Sequence, residues 1–268
     1  MFQDKGIFIT GAGTGIGYGL CQAFADAGAR VGLNDIDEKV ANEAATSLNE
    51  SLPTPFVTPY PCDSANVSSI RAIINEASEQ WGRLDIVIAN AGITNFGPFL
   101  DYTPEAFDRV VSVNLRGTYF TAQAAAQQMI QRGTKNGRII LTASVTGVQG
   151  YPNLSTYGMT KAGIIHLARS LAVELGQYGI TVNAICPGAT LTERTLADDP
   201  DYEVNWSAAV PTQRIGQVSD IVNAALFLAS PDSQHITGQT IIIDGGWTIT
   251  SPIPENTPDM PTVSSKLK

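Results

Sequence analysis

The fold of this chain is decided near its beginning by eight residues, Thr10-Gly11-Ala12-Gly13-Thr14-Gly15-Ile16-Gly17. They separate a β-branched run at residues 5–10, which predicts a strand, from an amphipathic stretch at residues 15–27, which predicts a helix. Glycines let the backbone turn sharply and approach a pyrophosphate closely, and a helix N-terminus supplies free N–H groups with a partial positive charge. The spacing fits T-G-x-x-x-G-x-G and not G-x-G-x-x-G, because Ile16 stands at the last glycine position. We therefore expect a dinucleotide-binding turn, with a glycine-rich turn without ligand as the alternative. Its contributors would be Gly11, Thr14, Gly15, Ile16 and Gly17.

The same alternation of strand and helix patterns continues along the chain. Further strands are predicted at residues 30–34, 56–61, 84–89, 137–142, 180–185 and 240–243. Helices are predicted at 38–52, 68–81, 155–177 and 218–228, and residues 103–132 carry one or two more. This order predicts the α/β class, with a single Rossmann-type, doubly wound parallel sheet and helices on both of its faces.

Two segments stand apart from this alternation. Residues 190–212 lack a clear period, so we expect a lid over the substrate there, within one dinucleotide-binding and catalytic domain at residues 1–250. Residues 251–268 are rich in Pro and Ser, and they predict a C-terminal extension beyond that domain.

Composition excludes several classes of protein. Apolar residues make up 43% and charged residues 15% of the 268 residues, which is typical of a globular chain. The net charge of −9, without a Lys/Arg run, disfavours nucleic acid as a partner. No apolar run approaches the roughly 18 residues that span a bilayer, so neither a membrane partner nor a membrane location is expected. Three scattered cysteines and two histidines predict no disulfide framework and no metal site, and we expect a cytoplasmic protein.

Asp35 bears on the choice of cofactor. It follows the second predicted strand, 18 residues after Gly17, where a carboxylate accepts hydrogen bonds from adenosine ribose hydroxyls and repels a 2′-phosphate. No Arg or Lys occupies position 14 or positions 34–37 to neutralise such a phosphate. We therefore predict NAD, with NADP less favoured, and expect Asp35 and Ile36 to contact it. The alternative for Asp35 is a helix cap, a role for which Asp37 competes.

Other polar or small residues follow predicted strands, at the edge of the sheet where ligands bind in such folds. Each group also suits an ordinary turn. The cofactor-binding residues predicted there are Asp63, Ser64, Asn90, Ala91, Gly92, Pro187, Gly188, Thr190 and Thr192.

Tyr157 and Lys161 lie four residues apart on a predicted helix, so they share a face. A tyrosine is a poor base at neutral pH, but a neighbouring ammonium favours the phenolate. By spacing alone such a pair also fits an ordinary surface helix. Ser144 ends the fifth predicted strand, 13 residues before Tyr157, where its hydroxyl can hold a substrate oxygen. Asn114 stands inside a helical pattern, where it either bends the helix or holds a water.

Taken in order, these motifs resemble the short-chain dehydrogenase/reductase family, in its glucose-dehydrogenase-like and 3-oxoacyl-reductase-like branch. The resemblance covers about residues 5–248 and includes the late Asp244-Gly245-Gly246. Ala89 and Ala143 replace an Asn and a Ser that many members carry, and neither change removes a catalytic group.

The resemblance implies a role for each catalytic candidate. Tyr157 is then the acid/base, Ser144 orients the substrate, and Lys161 binds the nicotinamide ribose and favours the phenolate. Asn114 would hold a water in a proton relay that reaches Lys161. The resemblance also implies a homo-oligomer, commonly a tetramer, with the helices of residues 103–132 and 155–177 at one interface.

The expected activity is the NAD-dependent interconversion of a secondary alcohol, of the sugar or polyol class, and a carbonyl compound. In the lid, Glu193, Arg194, Asn205 and Trp206 are candidates for contact with the small-molecule substrate. Outside it, the candidates are Gln149, Asn153 and His166.

Two alternatives stay open at this point. One is an NADPH-dependent 3-oxoacyl carrier-protein reductase, for which Arg132, Lys135 and Arg138 would form a basic patch that docks an acidic carrier. The other is a nucleotide-binding sensor or scaffold without turnover, which an intact set of Ser144, Tyr157 and Lys161 disfavours.

Overall fold

The computed structural model describes residues 1–52 and 56–250, and the predicted extension at 251–268 lies outside them. The strands are β1 (Gly6–Ile9), β2 (Arg30–Leu33), β3 (Val57–Pro59), β4 (Ile86–Ala89), β5 (Gly137–Thr142), β6 (Ile180–Pro187) and β7 (Thr240–Ile243). The helices are α1 (Gly15–Asp26), α2 (Glu38–Glu50), α3 (Val67–Trp81), α4 (Pro104–Val111), α5 (Thr118–Gln131), α6 (Ser155–Leu175), α7 (Glu193–Asp198), α8 (Tyr202–Ala209) and α9 (Val218–Ala229).

The strands form one parallel sheet in the order β3-β2-β1-β4-β5-β6-β7. This confirms the predicted Rossmann-type architecture. The order reverses between β1 and β4, and in doubly wound sheets a crevice opens at that point beyond the carboxyl ends of the strands. The glycine turn after β1 and Asn90 after β4 therefore meet at the position where a ligand is expected.

Both faces of the sheet are covered by apolar helix surfaces. Successive side chains of β1 alternate between the faces, so Ile7 and Ile9 join the core beside α1, α2 and α9. Phe8 points the other way, into the core that α3, α5 and α6 cover. Because both faces are buried, all four residues of β1 are apolar or glycine and inaccessible to solvent. None of the helices described in residues 1–52 and 56–250 is long and apolar enough to cross a membrane.

The structure departs from the sequence-based expectations in two regions. The predicted lid contains two short helices, α7 and α8, where no helix was expected. Thr192 caps α7 by accepting a hydrogen bond from the backbone of Thr195, which starts a helix too short to show a period. In the 103–132 region, α4 and α5 are joined by a π-helical segment at Ser112–Gly117 that contains Asn114. Such wide turns are frequent at functional sites.

Candidate active site

The glycine turn is fastened to the end of β4 by three hydrogen bonds. The Thr10 hydroxyl oxygen accepts from the backbone N–H groups of Asn90 and Ala91, each at 3.0 Å. The Asn90 amide donates to the carbonyl oxygen of Gly11 at 2.9 Å. A Cβ added at Gly17 would collide with that same carbonyl oxygen and with Ala12. Only glycine therefore allows α1 to begin so close to the turn.

The N-terminus of α1 is suited to a pyrophosphate. Thr14 stands at its N-cap with extended backbone and makes no side-chain hydrogen bond to the helix, and the first turn carries no acidic residue. The turn opens into a cleft of about 570 Å³, which we call the central cleft, and Thr14, Gly15, Ile16 and Gly17 line one part of it. The close backbone approach and the uncapped helix end fit a dinucleotide phosphate, which gains from N–H donors and the helix dipole.

The Asp35 carboxylate contacts the glycine turn. Its carboxylate accepts from the backbone N–H of Gly13 at 3.0 Å and from that of Asp37 at 3.2 Å. Asp37, and not Asp35, caps α2, because it accepts from the N–H of Val40 at 3.1 Å. Ile36 beside it is 70% exposed. The helix-cap alternative for Asp35 is therefore wrong.

Six predicted cofactor residues lie outside the lining of the central cleft: Gly11, Asp35, Ile36, Asp63, Ser64 and Ala91. Asp63 accepts from the backbone N–H of Ala65 at 2.8 Å and borders a separate depression with Arg71 and Arg116. Ser64 is buried against the backbone of Gly117. Contact of these residues with a dinucleotide stays a prediction.

Lys161 is a buried cation aimed at the central cleft. It is only 3% exposed, and its Nζ donates to the carbonyl oxygen of Thr142 at 2.9 Å. The same Nζ lies 5.4 Å from the centre of the Tyr157 ring. A Cβ added at Gly92 would come within 3.2 Å of it. Because an ammonium has three donors, two remain available beside Tyr157 and Gly92.

Ser144 joins Tyr157 and Lys161 in the lining of the cleft. Its hydroxyl oxygen accepts from the backbone N–H of Thr146 at 3.2 Å and from the Thr146 hydroxyl at 3.1 Å. A hydroxyl that accepts twice keeps its own hydrogen free to donate. Ser144 is thus prepared to donate a hydrogen bond to an oxygen in the cleft.

Asn114 is fully buried in the π-helical segment and uses its side chain on two neighbours. Its amide oxygen accepts from the N–H of Ile93 at 2.8 Å, and its Nδ2 donates to the carbonyl oxygen of Ile93 at 3.0 Å. The Nδ2 also donates to the hydroxyl of Thr160 at 3.1 Å, and Thr160 donates to the carbonyl oxygen of Tyr157 at 2.7 Å. The side chain therefore joins the loop after β4 to the first turns of α6. The water relay implied by the resemblance stays a prediction.

The loop after β6 forms another wall of the cleft. Gly188 donates its N–H to Ile243 at 2.9 Å, and the Thr190 hydroxyl donates to the carbonyl oxygen of Gly188 at 3.0 Å. Pro187, Gly188, Thr190 and Thr192 all border the cleft. From α7, the Arg194 guanidinium reaches Thr94, in the loop after β4, at 3.4 Å. The structure therefore brings these four predicted cofactor residues together with Ser144, Tyr157 and Lys161.

Aromatic residues that the sequence analysis did not single out also line the cleft. Tyr151, Tyr202 and Trp247 surround the predicted Trp206. Burial, followed by the proximity of Tyr151, Tyr157 and Asp199, raises the pKa of Tyr202 to about 12. The Tyr202 phenol is thus a neutral neighbour of Tyr157. The spacing of Tyr202 and Trp206, one helical turn apart, was the only local signal for this cluster.

Several weaker candidates lie elsewhere. Glu193, Arg194 and Trp206 border the cleft as expected, whereas four others do not: Gln149, Asn153, His166 and Asn205. Arg138 is 2% exposed and donates to the backbone of Gly137 and Ser230. Arg138 therefore does not belong to the predicted surface patch with Arg132 and Lys135, because β5 is buried on both faces. The prediction was wrong for this residue.

No group of three His, Cys, Asp or Glu side chains in the described part of the chain is arranged to hold a metal ion. Burial raises the pKa of Cys186, under the Ser144 backbone, to about 11, and the hydrogen bond from Ser144 and the nearby Lys161 only partly oppose it. Cys186 is therefore a buried neutral thiol next to the Ser144 backbone, and it adds no charge beside Lys161.

Comparison with known proteins gives consistent matches over nearly the whole chain. Residues 11–248 match the family model described as enoyl-(acyl carrier protein) reductase. The chain is 36% identical over 250 residues to L-rhamnose-1-dehydrogenase of Scheffersomyces stipitis, which covers 92% of this chain and 96% of the relative.

Two solved structures superpose closely on it. A gluconate 5-dehydrogenase from Burkholderia cenocepacia in complex with NADP and tartrate has a TM-score of 0.86 at 34% identity, over 93% of this chain and 97% of that one. A 3-ketoacyl-(acyl-carrier-protein) reductase from Brucella melitensis complexed with NADH has a TM-score of 0.84 at 31% identity, over 92% and 99%. With these matches, the chain belongs to the short-chain dehydrogenase/reductase family, as an oxidoreductase that acts on CH–OH groups.

Proposed function

We propose that this oxidoreductase uses NAD to interconvert a secondary alcohol of the sugar or polyol class and the corresponding carbonyl compound, with Tyr157 as acid/base. The observation that carries the proposal is the buried Lys161 ammonium, 5.4 Å from the Tyr157 ring, in a cleft that Ser144 also lines. A buried charge is costly unless it is paired and hydrogen-bonded. Here its one described hydrogen bond, to Thr142, leaves two donors facing the cleft.

Ser144, Tyr157 and Lys161 each have a separate role in alcohol oxidation. Ser144 donates its free hydrogen to the substrate oxygen, which holds the hydroxyl beside Tyr157. Tyr157, as the phenolate, takes the hydroxyl proton, and the Lys161 ammonium stabilises that phenolate electrostatically. NAD, when bound, supplies the acceptor for the hydride of the carbinol carbon. In the reverse direction Tyr157 returns the proton to the carbonyl oxygen. Asn114 positions this set by joining the loop after β4 to α6 through Thr160.

We propose that NAD is held by the residues that the sequence analysis predicted. Gly11, Gly15 and Gly17 with the α1 N-terminus would hold the pyrophosphate, and Asp35 with Ile36 the adenosine ribose. Asp63 and Ser64 would contact the adenine. Asn90, Ala91, Gly92, Pro187, Gly188, Thr190 and Thr192 would enclose the nicotinamide end, with Lys161 on its ribose.

Asp35 supports NAD over NADP, since its carboxylate would repel a 2′-phosphate. The similar solved structures are complexes with NADP in one case and NADH in the other, so the preference must come from this chain's own residues. Initial rates with each cofactor test it. We expect NAD to be favoured in kcat/KM by at least about tenfold, which corresponds to about 1.4 kcal/mol. We also expect Asp35→Ser to reduce that ratio, and a wild-type preference for NADP would refute the assignment.

Reduction of a 3-oxoacyl thioester with NADPH is the second candidate. The similarity to the Brucella melitensis reductase supports the reduction, although that structure is a complex with NADH and does not support NADPH. Burial of Arg138 counts against it, because a carrier-docking patch would then retain only Arg132 and Lys135. Turnover of acetoacetyl-coenzyme A, measured beside a sugar and polyol panel, separates the two. A sensor without turnover would bind NAD and give no rate with either set, in wild type as in Tyr157→Phe.

We further propose a cytoplasmic homotetramer in which α5 and α6 contribute one interface. Large apolar side chains on these helices are accessible in the single chain, among them Tyr119, Met159 and Val173. Such exposed apolar side chains are typical of protein–protein contact when they lie together.

A further inference from the structure

Four aromatic rings from three separate segments pack into one wall of the central cleft. Tyr202 and Trp206 come from α8, Tyr151 from the loop before α6, and Trp247 from the turn after β7. We call these four residues the aromatic wall. The Trp206 ring lies at its centre, with ring centroids 6.3 Å from Tyr151, 5.9 Å from Tyr202 and 5.4 Å from Trp247.

Hydrogen bonds outside the rings fix the wall in place. The Asp244 carboxylate accepts from the backbone N–H groups of Gly246 at 2.8 Å and Thr248 at 2.7 Å, which sets the turn that carries Trp247. The Ser207 hydroxyl, next to Trp206, accepts from the N–H of Ile215 at 3.0 Å and ties α8 to the following loop. Trp206 and Tyr151 lie within 24° of parallel. The wall is therefore a preformed apolar surface, and a ligand need not order it on binding.

The polar groups around the wall carry net negative charge. Glu193, Asp198 and Asp199 line the cleft, and Asp199 is close enough to Tyr202 to contribute to its raised pKa. The Arg194 guanidinium is shared between Asp198, at 3.7 Å, and the Thr94 carbonyl. An anionic substrate would thus meet carboxylates with no cation free of a partner in the lid. Hydroxyl groups, in contrast, can donate to these carboxylates.

We propose that the aromatic wall selects a neutral cyclic polyol, a pyranose or cyclitol, which places one face of C–H groups on Trp206 and its hydroxyls toward Asp198 and Asp199. The faces of aromatic rings are electron-rich and attract such polarised C–H groups. The inference rests on the proposed function: the ring carbinol carbon loses its hydride to NAD⁺ and its hydroxyl proton to Tyr157, and its C–O bond becomes C=O.

A ring suits this wall better than an open chain for two reasons. A pyranose presents its C–H groups together on a rigid face, whereas an open-chain polyol must lose rotational freedom to lie flat. The wall also consists of four neighbouring aromatic rings, so the apolar area that is removed from water on binding grows with the flatness of the ligand. Trp206 is accordingly a specificity-determining residue, separate from the acid/base machinery.

The first experiment compares substrates of matched carbon number: aldohexopyranoses and inositols, hexitols and hexonates, each with NAD. For wild type we expect the best ring to exceed the best hexitol and hexonate by at least about tenfold in kcat/KM. Trp206→Ala should lower kcat/KM for the ring by about the same factor, mainly through KM, and should lower that for the hexitol by a smaller factor. Trp206→Phe should retain most of the ring activity. Tyr178→Ala, which removes a half-exposed aromatic ring outside the cleft, is the matched control and should change neither.

A binding measurement separates this inference from the proposed function. Calorimetric titration of NAD-loaded Tyr157→Phe should give a lower Kd for the ring than for the hexitol, without any turnover. Preference for a hexitol, a hexonate or a plain cyclohexanol would overturn the ring-polyol assignment while leaving an alcohol oxidoreductase in place. An equal loss on both substrate classes in Trp206→Ala would overturn the specificity role. Undiminished turnover in Tyr157→Phe would instead refute the acid/base assignment, whatever ring preference is found.

Discussion

Replacing Lys161 by Met tests the electrostatic core of the mechanism. Met keeps much of the apolar length of the side chain and removes its charge. The Lys161 Nζ lies 5.4 Å from the Tyr157 ring centre. At an effective dielectric constant of about 20, a unit charge at about that distance contributes about 3 kcal/mol to the phenolate, or roughly a hundredfold in rate. We therefore expect kcat in Lys161→Met to fall by about two orders of magnitude.

The assay is NADH absorbance at saturating substrate and cofactor, with NAD binding measured separately by titration. Lys161→Arg keeps the charge and serves as the matched variant, and it should lose less in kcat than Lys161→Met. Because Lys161 is buried and donates to Thr142, thermal unfolding of both variants must show that the fold is intact. A folded Lys161→Met that binds NAD and keeps more than a tenth of the wild-type kcat would refute the charge argument.

Gly17→Val should abolish NAD binding in titration while Gly176→Val does not, because a Cβ at Gly17 collides with the Gly11 carbonyl and one at Gly176, whose φ is −55°, meets no atom within 4 Å; equal NAD affinity in both would contradict the close approach. Burial alone raises the pKa of Asp85, but hydrogen bonds from Arg83, the Gly6 backbone and Lys5 outweigh it and hold the pKa below its ordinary value. The stability from that carboxylate is thus present above about pH 4 and lost as pH falls through the folded-state pKa, so Asp85→Asn should cost about 2–3 kcal/mol in urea unfolding at pH 7, and less at pH 3. Val173→Glu, at an 83% exposed position on α6, should reduce the proposed tetramer to smaller species in light scattering, and an unchanged mass would exclude that face as an interface.

The sequence predicted best those features whose residues lie close together along the chain. The glycine turn, each strand end and the Tyr157–Lys161 pair consist of residues only a few positions apart. The order of strands and helices followed from the periods of their apolar residues. Asp35 and Asp37 could not be told apart as helix caps from sequence, because both precede α2 by a few residues. Only the Val40 hydrogen bond to Asp37 decides it.

The parts that sequence missed are assembled over long distances. Helices α7 and α8 have six and eight residues, too few for a period to emerge. Tyr151 and Trp206 are 55 residues apart in sequence, and Trp206 and Trp247 are 41 residues apart. They meet only because their segments all border the cleft. Arg138 was interpreted as a surface residue because of its charge, although the apolar run Ile139-Ile140-Leu141 that follows it is typical of a strand buried on both faces. Likewise, no sequence pattern indicates that Asn114 forms hydrogen bonds with Ile93, which is 21 residues away.

The hydrogen bonds from Asn90 to Thr10 and to Gly11 join residues 80 and 79 positions apart. The cofactor site therefore forms only when these distant parts of the chain have met. The glycine turn and α1 emerge early in synthesis, but the turn lacks its fastening until β4 has paired with β1. An N-terminal fragment that ends before β4 should therefore have no ordered phosphate site. The cofactor then stabilises only chains in which β4 has paired with β1. NAD added during refolding should therefore accelerate only the folding steps that come after this pairing.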